Sequence, residues 1–370
     1  MPGRYRTTKR GEEAARLVAT FLGAFIRHPD RAFVGKPFTP EDWQRDHIIR
    51  PIFGCVDRYG TRKYGEAILG LPRNSGKSTL SAALVLALAI TEPVIEGEYV
   101  IVARNRTQAK IVFNKIRRMV YGDAMLRAAC EVRTNEVIVR ETDQRIYTVA
   151  YDAGSAQGIH AQVVIIDEYH VHKDDSMRYA LLSGMIGQPN ALLITISTAG
   201  EERRGPLWEL LKSARKDPRA YIYWVGADDE ADGTDPAVWR AANPQSWVSD
   251  ADLQAAYATM PFPQFERYHL NRFPSKGTNR AYPATLWHAC SARPVIVPDL
   301  PAVIGLDASW TRDTSAVVFD QVGADGVHNW LAWIWRKYEA LGYIDHGPIE
   351  AKIVELCEDF PVARIACDPN

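Results

Sequence analysis

The sequence predicts an α/β fold: a mostly parallel sheet with helices on both faces, then a small helical region and a second α/β segment. Strand-like and helix-like segments alternate from about residue 64 to residue 226, which is the pattern of a parallel sheet. The run VVIIDE at 163–168 is apolar up to two terminal acids, as expected for a strand buried on both faces. A chain of 370 residues also favours two domains over one.

The composition is that of a globular protein, with 46% hydrophobic residues, 24% charged residues and a formal net charge of -1. This balance gives no overall attraction to nucleic acid, so DNA contacts would come from the local basic patches 3–10, 104–110 and 115–119, unless these are solvated faces. The longest apolar run, 80–90, is too short to span a bilayer. Five cysteines without C-x-x-C spacing predict neither a disulfide framework nor a structural zinc site.

The segment LPRNSGKSTL at 71–80 contains the Gly-Lys-Ser of a phosphate-binding loop, between a short apolar strand and an Ala- and Leu-rich helix. We expect its backbone N–H groups to wrap phosphates, Lys77 to reach the β and γ phosphates, and Ser78 to ligate Mg²⁺. Leu71 replaces the motif's first glycine, so Gly70 or Pro72 is expected to let the chain leave the strand. A polar loop containing Gly-Lys-Ser by chance is the alternative. The predicted nucleotide contacts here are Asn74, Ser75, Gly76, Lys77, Ser78 and Thr79.

Two further strand ends contribute to the predicted site, because ligands of open α/β sheets bind at the carboxyl ends of the strands. Asp167 is expected to hold Mg²⁺, and Glu168 to act as general base toward the attacking water. Ser197 and Thr198 end the strand ALLITIS and are expected to sense the γ-phosphate by hydrogen bonding. Solvated acids and an ordinary strand-to-loop transition are the alternatives.

The second half of the chain changes character. Residues 231–247 are dense in Gly, Pro, Asn and Asp, and a helix with Ser249 or Asp250 as N-cap follows. A second helix is predicted around FERYHLNRF at 265–273, followed by a linker, PSKGTNRAYP.

Residues 301–338 predict a meander of three strands with turns at WTRD and GADG. HGPIEAKIVELCEDF then predicts an amphipathic helix, and VARIACD a final strand. Asp307 and Asp368 each end an apolar strand, and adjacent strand-end aspartates can share a divalent metal, with Asp313 able to supplement them. A structural role for each aspartate is the alternative.

In their order along the chain, these motifs resemble the large terminase subunit of tailed bacteriophages, from about residue 38 to the end. LPRNSGKS, VVIIDEYH and ISTAG are similar to its phosphate loop, acid pair and coupling motif. PFTPEDWQRDHIIRPIFG looks like its adenine-recognition segment, in which Gln44 would read the adenine edge. DPAVWRAANP, LNRF and Trp287 resemble its lid and linker. IGLDASWTRDTSAVV and IACDPN are similar to the first two acidic motifs of its RNase H-like nuclease.

The resemblance also implies a role for Arg73, which would add positive charge over the γ-phosphate as a catalytic residue beside Lys77 and Glu168. A loop arginine that faces solvent or DNA is the alternative. The implied domains are a P-loop ATPase of the additional-strand, catalytic-glutamate type over 1–272 with a lid at about 231–272, a linker over 273–298, and the N-terminal part of an RNase H-like nuclease over 299–370.

The implied function is an ATP-driven motor that moves double-stranded viral DNA into a procapsid, together with a metal-dependent endonuclease. ATP and Mg²⁺ are the implied cofactors, with Mg²⁺ or Mn²⁺ at Asp307 and Asp368. The implied partners are double-stranded DNA, a small terminase subunit, the portal protein and further copies in a ring, a pentamer in the family. The implied location is the cytoplasm of a bacterial host, docked transiently on the procapsid, without a membrane.

Because the sequence stops two residues after Asp368, short of the family's third metal-binding acid, we expect a fragment or an interrupted gene that cuts DNA poorly. A helicase or other P-loop translocase would share the ATPase core, but it would carry a second RecA-like domain where the strand meander is predicted. A remnant that binds DNA or ATP without turnover is the third reading, and the intact Lys77, Asp167 and Glu168 argue against it.

Overall fold

The computed structural model describes residues 7–29, 33–151, 158–274, 294–308, 314–335 and 344–367. The chain divides into two compact units, Met1–Asn279 and Arg280–Asn370. Most of the predicted linker, including Trp287, lies outside the described residues. Within the described ranges, no helix is long and apolar enough to cross a membrane.

An eight-stranded mixed sheet forms the centre of the first unit, in the order β3-β4-β5-β2-β6-β7-β1-β8. Neighbouring strands are parallel from β5 to β8, whereas β3, β4 and β5 pair antiparallel. The predicted α/β architecture with a mostly parallel sheet is therefore confirmed, with the addition of an antiparallel edge. The strands are β1 (Glu66–Gly70), β2 (Glu98–Ala103), β3 (Cys130–Val132), β4 (Glu136–Val139), β5 (Gln144–Ala150), β6 (Ala161–Asp167), β7 (Leu192–Ser197) and β8 (Ala220–Trp224).

Helices cover both faces of this sheet because its central strands are apolar on both sides; β6 is buried along its whole length. One core packs the sheet against the first, fourth and fifth helices, and a second core packs it against the seventh and eighth. A π-helical turn, Arg45–Ile49, joins the second and third helices. The helices are α1 (Lys9–Phe25), α2 (Asp42–Gln44), α3 (Arg50–Gly54), α4 (Lys77–Thr91), α5 (Arg106–Gly122), α6 (Ala124–Ala129), α7 (Ser176–Gly184) and α8 (Pro206–Ala214).

A small helical region follows β8 and encloses its own core around Trp239, Leu253 and Phe265. Its helices are α9 (Pro236–Ala242), α10 (Asp250–Thr259) and α11 (Phe262–Tyr268). Ser249 caps α10 through a capping box, as predicted. Within the stretch predicted as irregular, the Asp235 cap and Pro236 nevertheless start α9. The helix predicted over 265–273 ends at Tyr268, before the left-handed Asn271.

The second unit contains a four-stranded sheet in the order β11-β10-β9-β12. The predicted meander is present as antiparallel β9 (Ala302–Asp307), β10 (Ser315–Val322) and β11 (His328–Trp335), and the predicted final strand, β12 (Val362–Cys367), pairs parallel with β9. The amphipathic helix α12 (Gly347–Asp359) packs on one face through Ile349 and Leu356. On the opposite face, Val303, Val318 and Ile334 are 42%, 36% and 63% exposed.

Candidate functional site

A cleft of about 660 Å³ opens at the carboxyl ends of β1, β2 and β6. Its walls come from the region around His28, the turn after β1, the start of α5, the end of β6 and the helical region. Ser75, Ser197 and Thr198, also predicted as site residues, are buried and do not line it. The predicted residues that do line it are Gln44, Arg73, Asn74, Gly76, Lys77, Ser78, Thr79, Asp167 and Glu168.

The turn between β1 and α4 is shaped by glycines at its two ends. Gly76 has a left-handed φ of 78° and directly precedes α4, which begins at Lys77. A Cβ on Gly70 would lie 2.1 Å from the ring of Trp224, so a side chain does not fit there. Leu71 is fully buried, and its N–H donates to the carbonyl oxygen of Ser197 at 2.9 Å. Leu71, which replaces the motif's first glycine, is thus a buried residue whose backbone bonds the end of β1 to the end of β7.

The ammonium group of Lys77 lies inside this turn. Its Nζ is 3.1 Å from the carbonyl oxygen of Pro72, 3.4 Å from that of Leu71, and 3.8 Å from Oε1 of Glu168. Burial lowers the pKa of Lys77, while the carboxylates of Glu168 and Asp167 act to raise it. A nearly buried cation at a helix N-terminus is well placed to attract an anionic ligand.

Asp167 ends β6 with one carboxylate oxygen bonded and the other free. Ser78 Oγ donates to Asp167 Oδ2 at 2.8 Å, whereas the buried Oδ1 has no hydrogen-bond partner. Burial, followed by the charge of Glu168, raises the pKa of Asp167 to about 6. Oxygen ligands of this kind suit a hard divalent cation such as Mg²⁺, and the unpartnered Oδ1 leaves a position for one. The residues present therefore fit the metal predicted here.

Glu168 has a left-handed φ of 56° and a side chain that is 38% exposed. Its Oε2 is 3.2 Å from Nδ1 of His170. The same nitrogen lies 3.2 Å from Ser197 Oγ and 3.3 Å from Thr198 Oγ1. His170 thus contacts both Glu168 and the residues at the end of β7. No sequence motif predicts this role, although His170 lies only two residues after Glu168.

Arg73 stands between the turn and the helical region. Its guanidinium is 3.6 Å from the centre of the Tyr268 ring, and its backbone N–H donates to the carbonyl oxygen of Tyr268 at 2.8 Å. The side chain also lines the cleft. Arg73 is therefore held against the last residue of α11 while remaining within the site.

Gln44 is buried in the cleft wall, 3% exposed. Its Oε1 accepts the backbone N–H of Glu41 at 3.0 Å, which forms part of the cap of α2. One acceptor position of the amide is therefore used within the chain. Aromatic rings of His28, Phe33 and Phe38 line the same cleft, and the His28 ring packs against both phenylalanines, an arrangement that no sequence motif predicts.

Three segments meet where the helical region approaches the turn. Trp247 Nε1 donates to the carbonyl oxygen of Asn74 at 2.8 Å, and its ring packs edge-on against Phe33. The backbone N–H of the preceding Ser246 donates to Glu41 Oε1 at 3.2 Å. No sequence motif predicts these contacts, because their partners are far apart along the chain.

A second connection joins the helical region to the end of β7. The backbone N–H of Ala199 donates to Asn271 Oδ1 at 2.7 Å, and its carbonyl oxygen accepts from Arg267 Nε at 3.1 Å. Asn271 Nδ2 also donates to the carbonyl oxygen of Val225 at 2.7 Å. The residue after Thr198 is therefore held from both sides by the helical region.

The remaining predicted residues fall at the edges of the described structure. Asp307 is exposed at the end of β9, while Asp313 and Asp368 lie outside the described residues. Among the residues described, no group of three or more His, Cys, Asp or Glu side chains could hold a metal ion. Of the basic patches, Arg104 and Lys115 line the cleft, and Lys115 Nζ donates to Thr79 Oγ1 in the first turn of α4 at 3.2 Å, so part of this charge faces the cleft.

The parallel core sheet, the turn ending at Gly76 and the acid pair at the end of β6 define an α/β domain with its candidate ligand site at the carboxyl edge of the sheet. Residues 42–216 match the family model of the terminase large subunit ATPase domain. The resemblance to terminase large subunits that the motifs indicate is thereby confirmed.

Individual relatives agree with this match. The chain is 24% identical to the terminase large subunit of Enterobacteria phage HK97 across 95% of the chain and 76% of that subunit. It is 28% identical to the terminase large subunit of Lactococcus phage p2 across 46% of the chain and 33% of that subunit. The crystal structure of the HK97 large terminase superimposes with a TM-score of 0.61 at 23% identity, over 95% of this chain and 79% of that one, which shows a shared fold.

Proposed function

We propose that this chain is a terminase large subunit that hydrolyses ATP to drive double-stranded viral DNA into a procapsid. The observation that carries the proposal is the grouping of Lys77, Ser78, Asp167 and Glu168 in one cleft at the sheet edge. Lys77 Nζ lies 3.8 Å from Glu168, and Ser78 Oγ lies 2.8 Å from Asp167. The family match over residues 42–216 supports the same activity.

In the proposed reaction, the N–H groups of the turn and the Lys77 ammonium hold the β and γ phosphates of ATP. Ser78 and Asp167 hold Mg²⁺, which when bound neutralises charge that develops on the phosphate oxygens. Glu168 accepts a proton from water as the water oxygen bonds to the γ-phosphorus and the bond from that phosphorus to the bridging oxygen breaks. ADP, with its phosphates still held by Lys77, and inorganic phosphate are the products.

The proposed coupling runs from the end of β7 to the helical region, which acts as the lid. Ser197 and Thr198 do not line the cleft, so the γ-phosphate is proposed to affect them through His170, which does and whose Nδ1 lies 3.2 Å from Ser197 Oγ. The Asn271 and Arg267 contacts to Ala199 then carry the change to the lid. Movement of the lid then changes the grip on DNA, at basic segments such as 104–110. Further copies in a ring, a pentamer in the family, a small terminase subunit and a portal protein are the proposed partners, in the host cytoplasm.

For the second unit we propose an RNase H-like nuclease region in which Asp307 and Asp368 hold Mg²⁺ or Mn²⁺. The parallel pairing of β9 and β12 supports this, because the carboxyl ends of the two strands lie at the same sheet edge, and Asp368 directly follows β12 in the sequence. Cleavage of plasmid DNA with Mn²⁺ tests it: Asp307→Ala should abolish any nicking. Asp325→Ala, in the β10–β11 turn at the other edge, should not, and equal rates for both variants would contradict the assignment.

Phosphate release from ATP by the full chain, with and without double-stranded DNA, tests the motor proposal. The parent should release phosphate with Mg²⁺, and Glu168→Gln should lower kcat by a factor of about 100 to 10,000 while retaining ATP binding. A parent that binds ATP and releases no phosphate under either condition would favour a non-hydrolysing remnant. An unaltered rate in Glu168→Gln would exclude Glu168 as the base.

A further inference from the structure

His170 connects two parts of the proposed ATPase site through a single ring nitrogen. Nδ1 lies 3.2 Å from Glu168 Oε2, 3.2 Å from Ser197 Oγ and 3.3 Å from Thr198 Oγ1. We propose that His170 is a positioning residue that orients Glu168 for water activation and makes this orientation depend on the end of β7. The inference rests on the proposed ATPase function and adds a residue that governs the base.

Hydrogen-bond capacity decides which way this contact works. An ionised carboxylate only accepts hydrogen bonds, and a neutral imidazole carries its hydrogen on one of its two nitrogens. If Nδ1 lacked the hydrogen, two acceptors would face each other across 3.2 Å, so the tautomer with Nδ1–H is the one that stabilises the contact. His170 therefore donates to Glu168 and leaves the carboxylate charged and able to accept a proton.

The surroundings keep the ring neutral. Burial, followed by the nearby positive charges of Arg267, Lys77, Arg73 and Arg104, lowers the pKa of His170 to about 3. A neutral N–H donor orients the carboxylate without adding a second cation to the Lys77 ammonium, which already lies 3.8 Å from Oε1. The contact therefore restrains the orientation of the Glu168 carboxylate.

The Ser197 hydroxyl, which faces the same ring nitrogen, already uses its hydrogen elsewhere. It donates to the carbonyl oxygen of Thr198 at 2.9 Å and accepts the backbone N–H of His170 at 2.9 Å. The ring N–H then has two competing acceptors, the Glu168 carboxylate and the hydroxyl oxygens at the end of β7. One hydrogen satisfies one of these well, so a small shift of the strand end changes the restraint on Glu168.

The backbone holds the ring in place for this role. His170 lies in a short 3-10 turn, Tyr169–Val171, whose N–H of Val171 donates to the carbonyl oxygen of Glu168 at 3.1 Å. Tyr169 is fully buried, and its hydroxyl bonds Asp175. Glu168 and His170 are thus linked within one short segment, whereas Ser197 and Thr198 lie at the end of a neighbouring strand, so the ring contacts depend on how the two segments are placed.

The test compares ATP turnover and ATP binding in the full 370-residue chain. His170→Ala should lower kcat by a factor of about 10 to 100 and leave the Kd for ATP within about threefold. His170→Gln, which keeps an N–H donor, should recover part of the loss. His172→Ala is the matched control: its imidazole is buried and packs on Tyr151 and Tyr169, and it has no contact with the Glu168 carboxylate among the described residues, so kcat should stay within about twofold.

A double variant separates positioning from general damage to the fold. If His170 acts through Glu168, the pair Glu168→Gln with His170→Ala should turn over no more slowly than Glu168→Gln alone. Losses that multiply, or a parent-like kcat in His170→Ala, would overturn the inference while leaving the ATPase proposal intact. A parent chain that releases no phosphate would overturn both.

Discussion

The indole N–H of Trp247 donates to the carbonyl oxygen of Asn74, 2.8 Å away, and so joins the helical region directly to the turn after β1. The same ring would lie 3.4 Å from a Cβ placed on Gly76. The position of the helical region and the shape of the turn therefore depend on each other.

Removing this hydrogen bond while keeping the ring should weaken ATP binding. Trp247→Phe loses the donor, and because one net hydrogen bond contributes about 1 kcal/mol, we expect the Kd for ATP to rise by a factor of about 3 to 10. Titration with ATP measures this, with Trp208→Phe in the second core as control. An unchanged Kd in Trp247→Phe would show that the contact does not shape the nucleotide site.

Lys77→Met should abolish ATP binding without emptying the turn. Methionine fills the space of the lysine stem, so the loss reports the ammonium group that lies 3.1 Å from the Pro72 carbonyl oxygen. We expect the Kd for ATP to rise by at least a factor of about 100, because the phosphates lose a buried positive charge. Lys63→Met, a lysine that lies over the Tyr64 ring, should bind ATP as the parent does. Binding retained in Lys77→Met would exclude it as the phosphate anchor.

Asn271 should contribute to the free energy of unfolding in two ways: through its side-chain hydrogen bonds and through its tolerance of a left-handed φ. Asn271→Gly keeps the left-handed φ of 45° but removes the bonds to Ala199 and Val225, so the free energy of unfolding should fall by about 1 to 3 kcal/mol. Asn271→Ala should lose about 1 kcal/mol more, because alanine disfavours this φ. Urea denaturation of the first unit measures both values. If Asn271→Gly were as stable as the parent, the side-chain hydrogen bonds of Asn271 would make no net contribution to stability.

Asp167 should make the stability of the nucleotide-free protein depend on pH. Its pKa in the folded protein is raised to about 6 by burial, above the ordinary value of about 4, so the folded state favours the protonated form. This stabilisation is present below about pH 4 and is lost as the pH rises through about 6. Asp167→Asn should therefore raise Tm at about pH 8 and change it little at about pH 4, measured without Mg²⁺. If Asp167→Asn lowered Tm at about pH 8, ionised Asp167 would not destabilise the folded protein, contrary to this prediction.

Gln44 allows adenine recognition to be separated from helix capping. Gln44→Glu keeps an oxygen acceptor for the Glu41 N–H and removes the amide donor, so we expect ATP affinity to fall by a factor of about 10 with a smaller change for GTP. Thermal melting should show that the cap survives in Gln44→Glu and is weakened in Gln44→Ala. Equal losses of affinity for ATP and GTP would count against an adenine contact.

Local patterns in the sequence predicted the elements that depend on local chemistry. The apolar run before Asp167, the capping box at Ser249 and the meander from Ala302 to Trp335 each carry their own periodicity or cap. The short strands β3 and β4 form an antiparallel edge that the βα alternation does not predict.

The parts of the site that were missed are tertiary contacts. Trp247 and Asn271 have ordinary neighbours in sequence, and their roles arise only when the helical region meets the turn after β1 and the end of β7. Gly70 is similar: its lack of a side chain is required by Trp224, a residue on a neighbouring strand. A single sequence does not contain these pairings, because they are set by packing of the whole unit.

At Glu168, the side chain that the proposed reaction requires is not the one that the left-handed backbone favours. A glutamate at φ 56° holds a conformation that glycine adopts without a steric penalty, so a glycine there would relieve about 1 kcal/mol of backbone strain. Such a change would also delete the carboxylate that the proposed reaction requires. Under the proposed reaction, a substitution that stabilises the backbone at this position would therefore remove the catalytic base.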